Sequence, residues 1–158
     1  MKYASILLLL ICCYSCDFFT AKKTTTEAVL KEELETFNWT EVDSYPTFDV
    51  CNAKASREEK KQCFEYTLTN TITKYLERQV IIVTTDVNDT LKLKLELSSK
   101  GELHLKALQM DTLTQKEIPN LKALVKESLQ TLPKIYPALK RAQHVNTAFE
   151  LPLIVKVQ

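Results

Sequence analysis

Between Leu91 and Leu108 the chain alternates apolar and polar residues almost without a break. Leu91, Leu93, Leu95 and Leu97 are separated by Lys92, Lys94 and Glu96; after a gap, Leu103, Leu105 and Ala107 are opposed by His104 and Lys106. A period of two is the signature of a strand with one dry face and one wet face. The gap, Ser98-Ser99-Lys100-Gly101, holds the only glycine of the protein, placed where a short hairpin loop needs a residue at φ > 0. Leucine is a weak strand former, so propensity alone would argue for helix. The strict alternation and the placed glycine override it, and the spacing predicts an antiparallel hairpin whose leucine face floors the core.

Other patterns flank this hairpin. Ser56-Arg57-Glu58-Glu59 is a capping box with acidic residues in the first turn, and Phe64, Leu68, Ile72, Tyr75 and Leu76 continue it as one apolar stripe to about Arg78. Val80 to Thr84 is β-branched and reads as a short strand or extended arm, and Asp86 to Thr90 as a loop. Thr114 and Glu117 have capping-box spacing, but Pro119 would then stand just inside the helix. Proline is best at the first helical position, so a second helix is expected from near Ile118, with Leu121, Leu124, Val125, Ser128 and Leu132 inward and Leu132-Pro133 as its stop. Lys134 to Val145 is irregular. The chain ends on Phe149, Leu151, Leu153, Val155 and Val157, another alternating strand. Pro152 lies within it and cannot donate to a ladder, so this strand should be an edge or be bulged.

Before the first helix, Thr24 to Phe37 has a helical pattern (Leu30, Leu34, Phe37) with Thr24 and Glu27 as a capping pair, a frayed tether being the alternative. Asn38 to Val50 is irregular and carries Trp39 and the turn Ser44-Tyr45-Pro46. Met1 to Ser15 reads as an export signal: Lys2, the apolar run Ile6 to Ile11, then small and polar residues, too short to span a bilayer. Cys12-Cys13-Tyr14-Ser15-Cys16 resembles the lipobox of bacterial lipoproteins, with Cys13 where leucine is usual and a bulky Tyr14. That resemblance implies lipidation at Cys16 and a tether over residues 16–41; a plain secretory signal with incidental cysteines is the other reading. Two or more acyl chains anchor stably where one is marginal.

Composition then narrows the function. Hydrophobic content of 45% and charge of 26% are ordinary globular values. Lys2 supplies the whole formal net charge of +1, so the chain from Cys16 onward is neutral and has no electrostatic footprint for nucleic acid. Cys51 and Cys63, an exported pair, are best read as a disulfide; two buried thiols are the alternative, and their spacing is far from that of a redox motif. His104 and His144 have no ligand-spaced companions, Asp86-Val87-Asn88-Asp89 lacks the glycine and glutamate of a calcium loop, and one glycine cannot build a phosphate cradle. No catalytic residue, metal site or cofactor is expected, and no enzyme.

Taken in order, Tyr45-Pro46-Thr47-Phe48, Cys51, Cys63-Phe64 opening a helix, a hairpin turning at Lys100-Gly101, Leu132-Pro133-Lys134-Ile135-Tyr136-Pro137-Ala138 and the ending Phe149-Glu150-Leu151-Pro152-Leu153-Ile154-Val155 resemble the C-terminal domain of TonB in small envelope proteins of Bacteroidetes, over roughly residues 42–158. The resemblance implies an α+β fold, a three-stranded antiparallel sheet with two helices packed on one face. It also implies a partner-binding edge strand carrying Phe149, Leu151, Leu153, Ile154, Val155 and Val157, which takes an envelope protein or an extended segment of an outer-membrane protein by strand addition. Edge pairing would equally admit a homodimer. The expected location is the bacterial envelope, lipid-anchored and facing the periplasm at the outer membrane. With a lipobox-like signal in place of a transmembrane helix and a long spacer, energy transduction is not expected. The alternative is a structural lipoprotein docked permanently in an envelope complex.

Overall fold

The predicted hairpin forms the middle of the structure. In the computed structural model, which describes residues 36–158, β3 (Val87–Leu97) and β4 (Leu103–Gln109) pair antiparallel across the loop at Ser98 to Glu102. Gly101 stands at φ 87° and its N–H donates to the Ser98 carbonyl at 2.9 Å. Any Cβ at Gly101 would also collide with the carbonyl oxygen of Ile135, so conformation and space both demand glycine there. Val87, Leu91, Leu93, Leu95 and Leu97 are buried and the lysines between them are exposed. Only one face of the sheet is therefore covered.

The cover is α1 (Arg57–Glu77) and α3 (Leu121–Gln130). The capping box of α1 is formed: the Ser56 Oγ accepts from the Glu59 N–H at 3.3 Å and a Glu59 carboxylate oxygen accepts from the Ser56 N–H at 2.7 Å. The bond from the Ser56 N–H, above all, holds the Glu59 carboxyl below the ordinary glutamate range. Phe64, Leu68, Ile72 and Leu76 are buried as the stripe predicts. From α3, Leu121, Val125, Ser128 and Leu129 face the core, while Leu124 and Leu132 are only partly buried.

The class is α+β, but the sheet has four strands and is mixed. Its order is β1 (Thr36–Asn38), β8 (Asn146–Val157), β3, β4, with β1 parallel to β8 and the other pairings antiparallel. Two-stranded pairs join β2 (Thr47–Phe48) to β5 (Ile135–Tyr136) and β6 (Leu139–Lys140) to β7 (Gln143–His144). The extra strand of the main sheet comes from residues read as the end of a tether helix. Phe37 sits in β1, and Trp39 is buried in the 3-10 turn that follows. Trp39 packs on Tyr45, Phe64 and Phe149 with ring centroids 5.1, 5.6 and 4.3 Å away, and a tether has no such partners. The rest of the segment 16–41, the signal 1–15 and Cys16 lie outside the described residues.

A third helix, α2 (Thr112–Glu117), precedes α3. Pro119 disfavours helical backbone at Ile118, which stands at φ −129°, ψ 69°, so α2, which was not expected, ends at Glu117 and the helix expected from near Ile118 starts only at Leu121. Val80 to Thr84 forms no strand. Val87 to Thr90, read as loop, is instead the start of β3, drawn into the ladder by the length of β8 (Val87 opposite Val157). Asp89 is buried there because its carboxylate accepts from the Asp111 N–H and the Thr114 hydroxyl, both at 2.8 Å; it is a brace for α2. In β4 the register shifts between Lys94 and Leu95, leaving Lys106 as the extra residue, so Leu108 and not Ala107 lies opposite Leu93. The bulge keeps an apolar side chain over the core.

Cys51 and Cys63 form a disulfide with Cα atoms 5.9 Å apart. It fastens the loop after β2 to the second turn of α1, one residue from Phe64, which stacks on Phe48 at 5.0 Å. By the chain-entropy argument a loop of this size is worth up to about 3 kcal/mol. Cys63→Ser should lower the unfolding free energy by up to that amount in denaturant titration without reductant. Cys51→Ser should match it, and the double variant should cost no more than either, because one cross-link is lost in all three.

Candidate functional site

The feature that sets β8 apart is what pairs with it. On one side β3 accompanies it from Thr147 to Val157 without a register shift. On the other, β1 covers only Asn146 to Ala148. From Phe149 to Val157 no strand among the described residues occupies that outer side. A row of backbone groups left on such an edge is a template for another strand.

Pro152 shows which groups these are. The ladder to β3 runs through it, opposite Lys92, and a residue without an N–H costs no ladder bond where its nitrogen faces away from the neighbour. Antiparallel pairing alternates inner and outer groups, so Glu150, Ile154 and Lys156 direct their N–H groups outward with it. Side chains alternate in the other sense. Leu151, Leu153 and Val155 are buried, Phe149 and Val157 partly so, and of the six edge residues named from sequence only Ile154 exposes its side chain freely, at 64%. The edge can therefore meet a partner through its backbone and through Glu150, Pro152, Ile154 and Lys156, while the other five residues hold it to the core.

Hollows lie at both ends of this edge. Beside Ile154 to Val157 a groove of about 370 Å³ opens against the last turns of α1, floored by Leu76, Ile81 and Leu121 and rimmed by Thr73, Glu77 and Gln79. Where β1 stops, a shallower hollow of about 580 Å³ is bounded by Trp39, Phe149 and Glu150 with Lys61 and Lys94. Glu150 also pairs with Lys94 at 3.3 Å across the exposed sheet face.

The Val80–Thr84 arm reaches the groove through Ile81; its composition reads as extended but does not mark it as part of a site. Ile81 and Val83 pack toward the core while Val80 and Ile82 are 91% and 85% exposed. The arm is held at its end by Glu117 of α2. That carboxylate accepts from the Thr84 N–H at 2.6 Å, the Thr84 hydroxyl at 2.9 Å and the Thr85 N–H at 3.3 Å. Bonds from the Thr84 backbone, above all, hold the Glu117 carboxyl below the ordinary value of 4.5. In the sequence Glu117 carries only a capping spacing; nothing local announces a partner 33 residues away.

The remaining candidate chemistry is dispersed. His104 lies on the wet face of β4, 3.9 Å from Glu102, and His144 is in β7. Tyr75 and Tyr136 are raised above the ordinary phenol value by hydrogen bonds to Glu127 and Asp49 respectively. Among the described residues no group of three or more His, Cys, Asp or Glu could hold a metal ion, and no helix is long and apolar enough to cross a membrane.

Because the folded pKa of Glu117 is depressed, its latch is fully formed above 4.5 and is lost as pH falls through the lower folded value. Hydrogen exchange at the Thr84 and Thr85 amides, corrected for intrinsic rates, should accelerate below pH 4.5. In Glu117→Gln it should be fast and lose that dependence. Compared with known proteins, the chain matches no family model, no curated protein and no solved structure.

Proposed function

We propose that this protein is a membrane-anchored envelope lipoprotein whose domain, of the TonB C-terminal kind, binds protein partners by strand addition along β8. It has neither a catalytic nor an energy-transducing role in this reading. The observation that carries it is the outer side of β8 from Phe149 to Val157, unpaired among the described residues, beside an apolar groove with a polar rim. In strand addition main-chain bonds supply affinity and side-chain pockets supply specificity. The groove suits one apolar side chain of an extended segment of an envelope protein, and its polar rim suits a partner that comes and goes. Cys16 carries the lipid in this reading, holding the domain at the periplasmic face of the outer membrane.

A second reading is favoured by Val80 and Ile82. Two β-branched side chains this exposed are the kind of surface that a structural lipoprotein docked permanently in an envelope complex would cover.

Ile154 separates the two. Its N–H faces outward, so Ile154→Pro removes a donor from the free edge while sparing the ladder to β3. With both variants shown folded by circular dichroism, Ile154→Pro should capture partners from native envelopes about ten-fold less well than Ile154→Ala, the size of one backbone hydrogen bond. Equal capture would remove the edge and leave docking through the arm or a helix face. For the anchor, Cys16→Ser should leave the membrane fraction or remain unprocessed. Recovery of the unaltered protein wholly in soluble periplasmic extract would sink the lipoprotein.

A further inference from the structure

The free edge of β8 is complementary to itself. It runs from Phe149 to Val157, so its midpoint is Leu153, and its only charged residues, Glu150 and Lys156, lie three positions to either side of that midpoint with opposite sign. We propose that two copies of this chain pair antiparallel along β8 about a two-fold axis at Leu153, placing Glu150 of each copy opposite Lys156 of the other. The proposal rests on the same free edge as the proposed function, but fills it with a second copy rather than a peptide.

Three observations select this register. Residues opposite each other must both direct their backbone groups outward to form the ladder, which restricts pairing to the even-numbered set of Glu150, Pro152, Ile154 and Lys156. A two-fold at Leu153 pairs Glu150 with Lys156 and Pro152 with Ile154. Moving the axis to Pro152 would set Lys156 against Ala148, which β1 already occupies through Asn38. Moving it to Ile154 would set Lys156 against Pro152 and leave Glu150 opposite the uncharged Gln158. Only the axis at Leu153 uses the whole free edge, stops where β1 begins, and brings unlike charges together.

The side chains fit this arrangement. Glu150 is 59% exposed and bonded to Lys94 from one side only, so its carboxylate can accept a second ammonium. Among the described residues Lys156 forms no ion pair, and its neighbour across β3 is the neutral Asn88. Ile154, the one large apolar side chain exposed on the strand, would be covered by Pro152 of the second copy. Pro152 leaves one acceptor on each copy without a donor, which weakens the pairing and keeps it reversible. Because dimer and peptide would share the edge, each would exclude the other.

The test is sedimentation equilibrium of the full chain in density-matched non-ionic detergent, with four proteins: unaltered, Glu150→Lys, Lys156→Glu, and the double reversal. The expected result is a monomer–dimer equilibrium that each single reversal weakens on the order of ten-fold, since two symmetric ion pairs become repulsions. The double reversal should restore it to within about two-fold, because swapped charges attract as well as the originals. These are exposed side chains, so folding is retained, and circular dichroism checks it. A chain monomeric at every concentration would overturn the dimer. So would a dimer indifferent to all three variants, which would have to form elsewhere. A monomeric chain that still captures envelope partners, and loses them with Ile154→Pro, would end the dimer while leaving strand addition standing.

Discussion

The structure depends on the odd-numbered face of β3. Five apolar side chains from Val87 to Leu97 must leave water together, because a strand's pleat puts them all on one side. Each fully buried aliphatic side chain contributes about 1.5–3 kcal/mol, so covering this face is the largest coherent gain open to the chain. The cover needs two helices with apolar stripes, and the stripes of α1 and α3 supply it. The opposite face carries Lys92, Lys94 and Glu96, which fare best in water. A sheet covered on one side follows directly.

From that constraint comes the edge. β8 is held to β3 along its length by the same inward alternation, with Leu151, Leu153 and Val155 extending the apolar floor. Nothing in the core requires a fourth full strand beyond it. β1 fills only three positions, where Trp39 must reach Phe64 and Phe149. The remainder of β8 is thus firmly placed by its buried side and, among the described residues, open on its other side. That combination suits a binding edge, since a partner pays little to order it.

Pro152 and the Lys106 bulge show how one-sided burial is kept compatible with the ladder. The bulge inserts a residue so that Leu108 returns to the core side. The proline sits where the missing donor costs nothing internally and reduces indiscriminate pairing outside. In the proposed dimer the same residue limits affinity, and in the proposed peptide complex it sets where main-chain bonds can form.

The elements that could be read before folding are those whose signal is local. The hairpin at Gly101, the capping box at Ser56, the stripe of α1 and the alternation of β8 were all legible, because each rests on spacing within a few residues; that β8 would be an edge held only in part, since β1 flanks it at Asn146 to Ala148. The Cys51–Cys63 bond was legible from an inferred compartment. The other features depend on partners distant in the chain. Phe37 and Trp39 became a strand and a core residue because β8 and Phe64 receive them, and Val87 to Thr90 joined the sheet because β8 is long enough to pair with them. Asp89 is buried because α2 brings it an amide and a hydroxyl. The Val80–Thr84 arm, strand-like in composition, pairs with no strand among the described residues, and its end is held instead by Glu117. Periodicity reports which face a residue prefers; what stands opposite that face is settled only when the chain has closed on itself.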